Sequence, residues 1–148
     1  MNMLPSLADD DLDQDHGEFL ELALALAGAP PSRMLAALEA VRSHAAAHFS
    51  REDSDLRGLG GNNADCHIAE HAAVLKSLDE VLGSLRAQPP AEGVPQMIQA
   101  LSDELLRWLP HHVGEMDAEL AAARARARFG GAVIRFAPPR QAQTAGSL

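Results

Sequence analysis

Seven histidines carry most of the chemistry available to this chain: His16, His44, His48, His67, His71, His111 and His112. In His48-Phe49-Ser50-Arg51-Glu52 an imidazole and a carboxylate stand four residues apart. In His67-Ile68-Ala69-Glu70-His71 two imidazoles have the same spacing. On an α-helix, residues i and i+4 share a face, so each pair can reach a common metal region. His112 and Asp117 are five apart, about 140° around a regular α-helix, an offset that suits a carboxylate reaching sideways to a second metal. A lone histidine among apolar residues is more often a hydrogen-bonded core residue than a ligand, because a buried polar group needs a partner. One His-x-x-x-His pair is weak evidence in an Ala-rich helical chain. Inward-facing histidines on every helix, accompanied by two acids, form a far more specific pattern.

The elements that must position these groups read as four helical stretches. The first runs from about Asp9 to Ala27 and is closed by Gly28-Ala29-Pro30-Pro31. The second starts near Ser32, an expected N-cap, and ends near Arg57-Gly58. The third is capped by Asn62 or Asn63 and ends around Ala87, before Gln88-Pro89-Pro90. The fourth runs from near Pro95 to about Phe129, where Gly130-Gly131 stops it. Met34, Leu38, Val41, Ala45, His48 and Glu52 fall on one face of the second. His67, His71, Val74, Leu78, Val81 and Leu85 do so on the third, and Ile98, Leu101, Leu105, Trp108 and His112 on the fourth. Short loops favour antiparallel neighbours, so the expectation is an all-α, up-down-up-down antiparallel four-helix bundle over residues 1–130. Residues 131–148 read as a tail, expected to be partly disordered, whose Val133-Ile134-Arg135-Phe136 is able to dock on the bundle. Asp9, Asp10, Asp11 and Asp13 suit the start of the first helix, and Arg124, Arg126 and Arg128 the end of the fourth, through the helix dipole.

Composition supports the same class. Of 148 residues, 28 are Ala and 21 Leu, while Val, Ile and Thr together number ten and Tyr is absent. Such a chain favours helix over sheet. The net charge of −9 disfavours phosphate backbones and anionic membrane surfaces, so neither nucleic acid nor membrane is an expected partner. No apolar run approaches a membrane span, and the start of the chain carries no secretory pattern. Cys66 is the single cysteine, which excludes an internal disulfide and a Cys-x-x-Cys metal knuckle and fits a cytoplasmic protein. A buried or half-buried thiol is expected there.

On these residues the chain resembles the hemerythrins, in particular the single-domain bacterial type, over roughly Leu12 to Leu120. The resemblance is carried by Leu12-Asp13-Gln14-Asp15-His16, by His48-Phe49 with Glu52-Asp53, by His67 and Glu70-His71, and by Trp108 and His112 through Asp117. The 19-residue interval from His48 to His67 is also similar to the family's. The resemblance implies a non-heme di-iron centre. His67, His71 and His112 would bind one iron and His16 and His48 the other. Glu52 and Asp117 would bridge them, with an oxo or hydroxo group as a third bridge. Counting donors on two octahedral irons leaves one position open, on the iron with two histidines, and in the family O₂ binds there. Phe19, Phe49, Trp108 and Leu109 resemble the apolar residues around that ligand, and all four also read as plain core.

Ferritin-like di-iron enzymes use four carboxylates and two Glu-x-x-His motifs, and this chain has no Glu-x-x-His. Neutral imidazoles stabilise high oxidation states less than carboxylates do. The reading is therefore a binding protein for O₂ storage, delivery or sensing rather than an enzyme. The alternatives are the same centre reducing peroxide or nitric oxide, another metal such as zinc or manganese in the same cage, or a bundle of satisfied core histidines. Three positions depart from the family's pattern: Asp15 where Gln is frequent, Asn62-Asn63 in place of a Tyr-Pro pair, and Val74 in place of an aromatic. They bear on ligand kinetics rather than on the metal ligands. His44 reads as peripheral and His111 as a surface residue, while Glu70 and Glu115 are candidate acceptors for ligand imidazoles.

Overall fold

The computed structural model describes residues 4–128. The expected course of the tail and of Val133–Phe136 lies outside these residues. Helix α1 spans Asp10–Ala27, a 3₁₀ turn covers Pro31–Arg33, α2 spans Met34–Leu59 and α3 spans Asn62–Arg86. The fourth rod is continuous but composite. It consists of α4 (Val94–His112), a π-helical turn (Val113–Asp117) and α5 (Ala118–Arg128). The rods α1, α2, α3 and α4 pack in a ring, each against the next, with α4 closing back on α1. This is the all-α four-helix bundle that the sequence pattern requires. Among the described residues no helix is long and apolar enough to cross a membrane.

The inward stripe of each rod changes chemistry along its length. At one end Leu26, Leu38, Val41, Leu78, Ile98 and Leu105 form an apolar core, each at most 4% exposed. Towards the other end the same stripes deliver histidines and acids. The apolar end supplies the burial that holds the rods at fixed separation, with about 25 cal/mol for each Å² of apolar surface removed from water. Past the histidines and acids, Leu56, Ala64 and Leu120 form a second, smaller apolar cluster with Ile68 packed against it.

The helix ends differ from the sequence reading in three places. Ser32 does not cap α2; Pro30 and Pro31 fix the backbone into a 3₁₀ turn, and the α-helix starts at Met34 with no side-chain cap. Neither Asn62 nor Asn63 caps α3. Gly61 takes that position at φ 94°, following Gly60 at φ 69°, and Asn62 is already helical. A two-glycine turn with both residues in the left-handed region reverses the chain too tightly for an Asn cap to form. The acidic and basic runs do more than answer helix dipoles. Asp9 caps α1 by accepting from the Leu12 N–H, and its other oxygen lies 3.3 Å from Arg124 Nε and 3.6 Å from Arg128 Nη1. The start of α1 is thus fastened to the end of α5.

The core prediction is direct. Leu38→Ala, at a fully buried position, should cost about 2–5 kcal/mol of unfolding free energy, read as a lower denaturant midpoint at unchanged slope.

Candidate metal centre

Each rod brings its share of donors to one level of the bundle. His16 comes from α1, His48 and Glu52 from α2, His67 and His71 from α3, and His112 and Asp117 from the fourth rod. None of the seven is more than 3% exposed. Regular helical spacing explains the pairs on α2 and α3. It does not explain the last pair. The π turn between His112 and Asp117 lengthens the repeat to a five-residue step and brings Asp117 back over His112, with Asp117 Oδ1 3.3 Å from His112 Nε2. The sideways offset read from a regular helix is therefore corrected by the local backbone. Pro110, which cannot donate to the carbonyl four residues before it, lies just ahead of this irregularity.

The donors form two groups that share their carboxylates. In the first, His112 Nε2 lies 3.1 Å from His67 Nε2 and 3.2 Å from His71 Nε2. Asp117 Oδ1 is 2.8 Å from His67 Nε2, and Glu52 Oε1 is 3.2 Å from His71 Nε2. In the second, Glu52 Oε2 is 2.8 Å from His48 Nε2, and Asp117 Oδ2 is 2.9 Å from His16 Nε2. Each carboxylate turns one oxygen to each group.

The outer nitrogens of three imidazoles fix which lone pairs point inward. His48 Nδ1 donates to Asp15 Oδ2 at 3.0 Å, His71 Nδ1 to Asp53 Oδ1 at 2.7 Å and His112 Nδ1 to Glu70 Oε1 at 2.6 Å. A carboxylate only accepts, so the proton sits on Nδ1, and each ring in its neutral form presents a bare Nε2 to the interior. Two such nitrogens, on His71 and His112, then face each other at 3.2 Å. They repel unless a proton or a cation lies between them. Both ring nitrogens of His16 and all four oxygens of Glu52 and Asp117 are buried without a hydrogen bond. The short distances among them lack hydrogen-bond angles, and their lone pairs converge instead. Nitrogens about 2.1 Å from one first-row cation, cis on an octahedron, stand about 3.0 Å apart, close to the spacings seen. The residues fit a divalent cation in each group.

Electrostatics agree. Burial alone would suppress protonation of His16, but the facing Asp117 and Glu52 carboxylates outweigh it and lift the imidazole to about 9. His48 is also raised, with Glu52 and Asp15 outweighing burial. Burial would raise Glu52 and Asp117, yet the imidazoles around them hold both below the usual carboxylate range. The cluster balances its own buried charge with protons that a cation can replace.

A family model described as the hemerythrin HHE cation-binding domain matches residues 7–123. The chain belongs to the hemerythrin family. No curated protein and no solved structure matches it. Within this hemerythrin domain the buried His, Glu and Asp cluster marks a candidate metal site. The apolar positions singled out in the sequence surround it. Phe49 stacks on His71 with centroids 4.0 Å apart, Trp108 stacks on His112 at 4.3 Å, and Phe19 lies 6.0 Å from Phe49. Phe19 and Leu109 are buried, and Trp108 is half-buried.

The peripheral residues sort as follows. His44 is half-buried with Nε2 3.0 Å from the Asp15 carbonyl oxygen, and His111 is exposed. Glu70 is an acceptor, taking both His112 Nδ1–H and Trp108 Nε1–H on one oxygen. Glu115 is exposed and makes no such bond to a site imidazole. Cys66 is exposed, not buried or half-buried, because it lies about 100° round α3 from the inward-facing His67. Asp15 and Asp53 are further acceptors, for His48 and His71, that spacing along the chain does not indicate. Each lies on the helix before the imidazole it holds, as Glu70 does, and no spacing within one helix reports such a contact.

Two outcomes follow. Asp53→Ala should weaken cation affinity about 10–100-fold while the bundle stays folded, measured by competition with a chelator. A cation must displace the proton on His16, so its apparent affinity should climb as pH rises from 7 and level off above about 9, read from titrations across that range.

Proposed function

We propose that the chain holds two iron ions and binds O₂ reversibly, as a store, carrier or sensor. The observation that carries this reading is the division of Glu52 and Asp117, each with one oxygen in either donor group. That arrangement suits a bridged pair of cations better than a single ion. His67, His71 and His112 would hold one iron, and His16 and His48 the other. When bound, such a pair supplies two electrons to a small ligand and recovers them on release. The group with two imidazoles offers fewer donors and so leaves more room for an added ligand.

The chain's own part is orientation and exclusion of water. Phe49 and Trp108 fix the planes of His71 and His112 by stacking, while Asp53 and Glu70 fix their tautomers. Phe19, Phe49 and Leu109, each at most 2% exposed, make a dry wall beside the cluster. A dry wall slows proton delivery to a reduced ligand and favours release over irreversible oxidation.

The test is an iron assay with visible spectra taken in air, after anaerobic reduction and on renewed exposure to O₂. Two irons per chain and a coloured form that appears with O₂ and fades on its removal are expected, with Phe19→Ala shortening the lifetime of that form. Irons that oxidise at once with no recoverable coloured form would move the assignment to peroxide or nitric oxide reduction. Preference for zinc or manganese over iron would remove the O₂ reading.

A further inference from the structure

A pocket of about 560 Å³ opens between α1 and α2 and ends on His48 and Glu52. Its floor is unusual. Glu52 is 1% exposed, and among the described residues its oxygens make no hydrogen bond but face His48 Nε2 at 2.8 Å and His71 Nε2 at 3.2 Å, so a buried carboxylate closes a solvent-facing pocket. The walls are acidic, with Asp11, Asp15 and Asp55 at different depths. Two arginines also line it, but both are already engaged. Arg51 pairs with Asp15, and Arg124 Nε lies 3.3 Å from Asp9 with Nη1 4.0 Å from Asp55. The net field in the pocket therefore attracts cations, and low-dielectric walls focus it.

We propose that this pocket is the vestibule through which a divalent cation enters the centre, with Arg51 as its latch. The inference rests on the metal-centre reading above. Asp15 Oδ2 accepts from both His48 Nδ1 and Arg51. The Arg51 side chain is 61% exposed, whereas that of Asp15 is 23% exposed. Arg51 can swing into water at little cost, and Asp15 then turns an uncompensated oxygen to the pocket one step above His48 and Glu52. A cation would pass from the Asp11 and Asp55 rim to Asp15 and then to the oxygens of Glu52. A second opening, of about 380 Å³, reaches His67 between the α2–α3 turn and α5. It pairs a single acid, Glu119, with Arg126 and is otherwise lined by neutral residues such as Leu59 and Met116, so it offers no comparable attraction.

The experiment is stopped-flow uptake of Co²⁺ by the metal-free full chain, followed by its absorption, with the final ratio of cobalt to protein measured for every variant. Asp11→Asn/Asp55→Asn should slow uptake about threefold to tenfold at low salt, the gap closing at high salt, with the final ratio unchanged. Glu92→Gln/Asp103→Asn makes the same change of net charge away from the pocket and should leave the rate alone. Arg51→Ala should speed both uptake and loss to a chelator. Ser54→Trp, at the wall of the vestibule, should slow uptake, and Ala123→Trp, at the opening beside His67, should not. Equal rates in all variants, or slowing by Ala123→Trp instead of Ser54→Trp, would overturn the vestibule and leave the centre standing. Failure of the wild-type chain to take up Co²⁺ would overturn both.

Discussion

Five imidazoles and two carboxylates lie in a helical interior, none more than 3% exposed. An ionised carboxylate in such surroundings is costly unless it is paired, and bare imidazole nitrogens held face to face repel. The bundle accepts this cost at one level only. A large apolar cluster around Leu38, Leu78 and Ile98 and a smaller one of Leu56, Ala64 and Leu120 supply stability, and the charged level between them spends part of it on an arrangement that positive charge relieves. Protons on His16 and His48 provide that charge in one state, and a pair of divalent cations would provide it in another.

The outer carboxylates follow a rule around the ring of rods. Asp15 on α1 holds His48 on α2, Asp53 on α2 holds His71 on α3, and Glu70 on α3 holds His112 on the fourth rod. Three of the five imidazoles are thus oriented by the preceding helix, so for them the positions of the rods and the tautomers of the rings are set together. Among the described residues the step that would close the ring is missing, since His16 Nδ1 has no hydrogen-bond partner there.

The two sides of the cluster present opposite environments. Phe19, Phe49 and Leu109 close one side with apolar surface. The side between α1 and α2 is polar and reaches solvent through Asp15 and Arg51.

Much of this was legible in the chain itself. The 3.6-residue periodicity and the Ala and Leu content dictate four amphipathic helices, because helix propensity and burial of one stripe are local properties. His48 with Glu52, and His67 with His71, declare a shared face by spacing alone. His112 with Asp117 does not, since its alignment depends on a π turn that spacing on a regular helix cannot report. Asp15, Asp53 and Glu70 acquire their partners from other helices, and only the packing of the rods decides those contacts. The glycine turn that displaces an Asn cap at α3, the exposure of Cys66, and the meeting of Asp9 with Arg124 likewise follow from how the chain closes in space. Sequence determined which groups face inward on each helix, because that is a matter of angle along one rod. Tertiary structure decided which groups touch, because distances between rods are fixed by the whole core at once.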